Sequence, residues 1–208
     1  MKFLHNISRI EAFSDGVFAF AATLMVVNFD MGGEMSFSKA NLTGFLAFFV
    51  SFFVLVALWW VHYNFFRRTD YMDNKIITLN SILLFVTLYY VFPLKSLVQS
   101  WMGEGVKTPG DLASLFVMYG IGFMLIFLCF ALMYYRATTK SKKPKEKYIL
   151  HFYFRHFLIF VVVGLLSIVL ASAEIGIRFG MPGFVYALLG PFCALHSYFY
   201  YKNQEHQL

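Results

Sequence analysis

The sequence predicts an all-α integral membrane protein of six transmembrane helices with both termini on the cytoplasmic side. Three observations predict it. Hydrophobic residues make up 60% of the 208 and charged residues only 13%, against about 25% charged in an average soluble domain. Six long apolar segments are separated by short polar connections. Lys and Arg collect mostly on one side of the topology those segments imply. In hydrocarbon every backbone N–H and C=O must be satisfied within the segment, so the spans read as helices.

The segments run near 9–29, 42–66, 75–92, 114–135, 148–171 and 183–201. No other stretch is long enough for a separate soluble domain, so residues 1–208 read as one six-helix domain. With the N-terminus inside, the inner side holds Lys2, Arg9, Arg67, Arg68, Lys75, Arg136, Lys140, Lys142, Lys143, Lys145, Lys147 and Lys202. The outer side keeps Lys39, Lys95, Lys107 and Arg178. That asymmetry orients the chain and assigns the basic loop after Tyr135 to anionic lipid. Nucleic acid is not the expected partner of the +6 net charge. Cys129 and Cys193 sit in apolar runs and read as buried thiols, not as a disulfide or a metal site. Glu11 and Asp15 are wrong for the positively charged start of a signal peptide. The chain is expected in the cell membrane as a multi-pass protein.

The first segment, "SRIEAFSDGVFAFAATLMVVNF", carries Arg9, Glu11, Ser14 and Asp15 in its opening turns. The uncharged remainder, Gly16 to Phe29, is roughly 21 Å of helix, short of a full crossing. On a helical wheel Arg9, Phe13, Gly16, Phe20, Thr23, Leu24 and Val27 fall within about 60° of one line. A second stripe holds Asp15, Ala19, Ala22 and Val26. Small residues at that spacing allow close helix approach in lipid, so Asp15 is expected to face another helix. A carboxylate there needs donors. Trp59 or Trp60, His62 and Asn64 end the second segment, and Asn80 lies early in the third. A polar knot of Ser14, Asp15, His62 and Asn80 is the expectation, either as a packing device or as a pH-responsive gate element.

The Phe20–Thr23–Leu24–Val27 stripe reads either as core or as a path with an apolar waist, one hydroxyl, and acids beyond its outer end at Asp30 and Glu34. The second description suits a cation channel gated by dewetting.

The residues Arg9, Phe13, Ser14 and Asp15, continued by Gly16 and "AATL", resemble the motif of the transmembrane-protein-175 family of potassium channels in its single-repeat prokaryotic form. Trp59 with His62, Asn80 and Pro93 extend the resemblance over the first three segments. The resemblance implies a bacterial or archaeal channel whose permeant ion is potassium, without cofactor and without the Thr-Val-Gly-Tyr-Gly filter, which this sequence lacks. It also implies a pore lined by the first helix, with Phe20, Leu24 and Val27 as the constriction and Thr23 adjacent. Thr23 is the only hydroxyl on the stripe between Phe20 and Val27, and since an oxygen ring can replace part of an ion's hydration shell it is the selectivity candidate. Phe20 stands where the family is usually aliphatic, and Val27 where it usually has Leu. The motif occurs once, so four copies are expected around one pore. Arg9 is then expected to be neutralised by Glu11, Asp15 or a neighbouring helix.

Three other functions compete. A transporter is favoured only by Pro191 after Gly190, which interrupts the sixth segment, since Pro93 and Pro182 read as lying near helix ends. An enzyme would have to use His151, Arg155, His156 and His196. His156 is offset from His151 by about 140°, and no acidic partner stands at ligand spacing, so neither metal nor catalysis is expected. Proton conduction is the nearest alternative, through a transient water wire or His62.

Overall fold

A computed structural model describes residues 7–27, 39–102, 106 and 108–205. Asp30 and Glu34 lie outside the described residues. All regular structure among those described is helical: α1 (Ile7–Val27), α2 (Lys39–Arg68), α3 (Asn74–Trp101), α4 (Pro109–Lys140), α5 (Pro144–Ser172), α6 (Met181–Phe184) and α7 (Leu189–Glu205). The first five are long and apolar enough to cross a membrane.

The helices α2 to α5 outrun their apolar segments, and side-chain caps open α3 and α4. At α3 the carboxylate of Asp73 accepts the Ile76 N–H, closing one of the donors a helix start leaves open. At α4, Thr108 accepts the Asp111 N–H while its hydroxyl donates to the Asp111 carboxylate, and Pro109 supplies a preset φ at the first turn. Pro93 does not end α3, contrary to the sequence reading. Two further turns, to Trp101, follow it.

The sixth apolar segment is not one α-helix. After α5 the chain turns through Gly176 (φ 65°) and Gly180 (φ 68°), left-handed positions that glycine takes without steric cost. A side chain at Gly176 would also collide with Met181. Then α6 gives way to a 3-10 turn, Val185–Leu188, before α7. Pro191 explains the break: it lacks an N–H for the Ala187 carbonyl, and its ring presses on that turn.

Packing sets two halves. α1 lies on α2 and α3, whereas α5 packs mainly on α4 and the C-terminal segments. Between them runs an aromatic core in which Phe65, Phe130 and Tyr134 are fully buried. α3 and α4 approach closely at Gly122, where an added Cβ would stand 2.7 Å from the Tyr90 ring. Cys129 is buried as expected, but Cys193 is only half-buried, since α7 leaves much of its surface uncovered. Neither forms a disulfide.

Candidate functional site

The first turns of α1 meet the last turns of α2 and the first of α3. There the polar residues of three apolar helices form one directed chain. His62 Nε2 faces Asn80 Oδ1 at 2.7 Å, Asn80 Nδ2 donates to Ser14 Oγ at 3.0 Å, and the Ser14 hydroxyl donates to the Ile10 carbonyl at 2.8 Å. The acceptor opposite Nε2 places the ring proton there. His62 and Ser14 are 0% exposed and Asn80 2%. The rings of Phe18 and Phe66 flank the imidazole at 5.4 and 4.9 Å between centroids. In such apolar surroundings each bond is strengthened, and each missing partner would be costly.

Asp15 stands beside this chain and not within it. It is exposed, and its Oδ1 accepts the Trp59 indole N–H at 2.8 Å. Trp59 thus holds Asp15 directly, and His62, one turn further along α2, reaches the adjacent Ser14 through Asn80. Asp15 does meet another helix, as expected, but the rest of its stripe is not packed within the subunit: Ala19 and Val26 are exposed, and α1 instead buries Ser14, Phe18, Ala21 and Met25. Both stripes have helical period, and a polar start with small residues does not say which one a subunit keeps for itself.

The expected neutralisation of Arg9 by Glu11 or Asp15 is likewise absent. Glu11 pairs with Arg67 at 3.0 Å, Asp15 is taken by Trp59, and Arg9 is exposed with no partner among the described residues. Asn64 turns back to its own helix, donating to the Trp60 carbonyl. Two contacts of this end have no signature in the sequence. Arg136 reaches Asp73 Oδ2 at 2.7 Å. Arg68 donates to the Tyr134 hydroxyl and lies over the Tyr153 ring, 3.8 Å from its centroid. Burial pushes the Asp73 carboxyl up, but hydrogen bonds from the Ile76 N–H, Arg136 and Tyr71 outweigh it and hold the group below the usual aspartate value.

The stripe of Phe20, Thr23, Leu24 and Val27 lies about 140° round α1 from the buried one. Phe13 is 66% exposed, Phe20 56% and Val27 75%. Leu24 is half-buried, so it sits at the edge of that face. The Thr23 hydroxyl donates to the Ala19 carbonyl at 3.0 Å. Its proton is thereby used, and its oxygen lone pairs remain for an outside partner. His156 and His196 approach to 5.7 Å between ring centroids, but no group of three potential metal ligands forms among the described residues.

A family model described as endosomal/lysosomal potassium channel TMEM175 matches residues 9–93, the stretch from Arg9 through Pro93 that holds the whole anchor formed by Ser14, His62 and Asn80. A potassium channel of Marivirga tractuosa is 36% identical over 62% of this chain. That alignment spans 59% of the Marivirga protein, less than two thirds of its length. A potassium channel of a Chryseobacterium species is 27% identical over 76% of this chain and 80% of its own. Among solved structures, a variant of the potassium channel MtTMEM175, crystallised with a nanobody–MBP fusion, superposes with a TM-score of 0.79 at 30% identity, covering 93% of each chain. A lysosomal potassium-selective channel TMEM175 homolog from Chamaesiphon minutus shares the fold, with a TM-score of 0.62 at 21% identity over 88% of this chain and 97% of its own. The matched motif residues and the fold agree on one assignment: this chain belongs to the TMEM175 family.

Proposed function

We propose that the chain is one subunit of a potassium-permeable channel in a bacterial or archaeal plasma membrane, six spans per subunit and four copies around a pore lined by α1. The observation that carries this reading is the division of α1 into two faces. Glu11, Ser14, Asp15 and one apolar stripe are held by α2 and α3, while Phe20, Thr23 and Val27 stand uncovered within the subunit. Relatives named as potassium channels support the choice of ion.

In this reading Phe20 and Val27, with Leu24 at their margin, form stacked apolar rings. A narrow apolar constriction sheds water and blocks ions until it widens or wets. Thr23 lies between those rings, and four outward hydroxyl oxygens can replace part of an ion's hydration shell. Asp30 and Glu34 gather cations at the outer mouth. At the basic end, cytoplasmic by the positive-inside rule, Arg67, Arg136 and Arg68 are neutralised or capped through Glu11, Asp73 and Tyr134. Arg9 then meets its counter-charge on an adjacent copy.

Purified protein in planar bilayers tests the reading under separate potassium, sodium and proton gradients. Unitary currents reversing near the potassium potential are expected. Reversal that follows the proton gradient would replace the proposal with proton conduction. Saturable flux without unitary currents would replace it with transport.

A further inference from the structure

The cations at the basic end divide into two sets. On α2 and α4 three arginines have partners: Arg67 has Glu11, Arg136 has Asp73, and Arg68 has the Tyr134 hydroxyl, whereas Arg9, Lys75 and Lys140 stand singly, each on a different helix. On α5, Lys147, His151 and Arg155 are exposed, and none has a carboxylate partner among the described residues. They stand at i, i+4 and i+8, a ladder roughly 12 Å long on one face. The nearby groups of α7 are basic too. His196 lies within electrostatic reach of Arg155, and Lys202 sits over the Tyr198 ring.

The same face continues upward as an apolar strip. Val162, Leu165 and Val169 fall on the line of the ladder and are 63%, 51% and 54% exposed. The uncharged run of α5 begins at Phe157, so Arg155 stands at the edge of the hydrocarbon. Lys147 stands about 12 Å further out, beyond a headgroup layer about 5–8 Å deep, and its long flexible side chain reaches back toward that layer. Unpaired guanidinium at that depth calls for an anion. We propose that this face of α5 binds the phosphate headgroup of an anionic phospholipid from the leaflet at the basic end. The Arg155 fork takes the phosphate, Lys147 adds a point charge above it, and the acyl chains lie along Val162, Leu165 and Val169. An acidic soluble protein would satisfy the cations and leave the apolar continuation unused.

The assignment rests on the reading that α1, and not α5, faces the other copies. It is tested by binding, without current, so its failure and the channel's failure are distinguishable. The detergent-solubilised protein is titrated with phosphatidylglycerol or phosphatidylcholine, and bound lipids and oligomer mass are read by native mass spectrometry. Tighter binding of phosphatidylglycerol, by about tenfold, is expected for the wild type. Lys147→Gln and Arg155→Gln should each cut that preference about fivefold, as for one interfacial cation lost. Arg155→Lys should retain most of it, and Lys75→Gln on α3 should leave it unchanged. Equal affinity for the two lipids, an equal loss in Lys75→Gln, or an altered oligomer mass in Arg155→Gln would overturn the site.

Discussion

At the residue scale, position in the anchor sets cost. Asn80 serves two partners at once, so Asn80→Ala strands the His62 ring proton and removes a donor from Ser14 in a fully buried site. The expected loss is about 2–4 kcal/mol, read as a lower midpoint in thermal denaturation of the solubilised protein. Asp15→Asn keeps an oxygen for the Trp59 indole at an exposed position, and should cost about 1 kcal/mol or less. Comparable losses in the two variants would show that the buried chain carries no special weight. Thr23 tests the other face of the same helix. Thr23→Ala deletes an oxygen whose proton is already committed to Ala19, so assembly should persist. The potassium preference over sodium should fall roughly tenfold, the worth of one strong polar contact. Thr23→Ser should restore it. Unchanged bi-ionic reversal potentials in Thr23→Ala would remove the residue from selectivity.

At the scale of elements, one carboxylate ties the α2–α3 connection to two helices. Asp73 caps α3 through the Ile76 N–H and ties α4 through Arg136. Because its folded pKa lies below the usual value, its contribution is complete above about pH 4, the ordinary aspartate range, and vanishes as pH falls through the lower folded value. Asp73→Asn retains a capping side chain but loses the ion pair. It should therefore melt earlier than wild type at pH 7, with the two curves converging below about pH 4. A gap independent of pH would mean that the charge on Asp73 is not what stabilises the connection. The anchor itself was legible from sequence because Ser14, His62 and Asn80 interrupt apolar runs, and a buried polar group needs a partner. The donor to Asp15 was narrowed only to Trp59 or Trp60, His62 and Asn64, and the structure selects Trp59. Which stripe of α1 would be buried was not legible, since small residues pack equally well inside a subunit or between copies. The Glu11–Arg67 and Asp73–Arg136 pairs join residues 56 and 63 positions apart, where local periodicity carries no information. Pro191 signalled the broken sixth segment, but Pro93 misled: α3 tolerates it and continues.

At the scale of the whole molecule, Phe18 and Phe20 provide an internal comparison. They differ by two positions and about 160° round α1. Phe18 is 4% exposed and packs on His62, whereas Phe20 is 56% exposed on the single subunit. In the proposed tetramer Phe20 contributes one quarter of an apolar ring, so Phe20→Ser should wet the waist and raise basal current. Its cost to the subunit should be small, because little of the ring is buried there. Phe18→Ser instead leaves a cavity and a hydroxyl beside the anchor, with an expected loss of about 3–5 kcal/mol and no new leak. Single-channel recording of both variants, alongside their melting temperatures, separates the two faces. A stable Phe20→Ser tetramer with wild-type conductance and open probability would remove α1 from the pore. Leak in Phe20→Ser together with instability in Phe18→Ser requires that one helix hold its subunit with one side and control the ion path with the other.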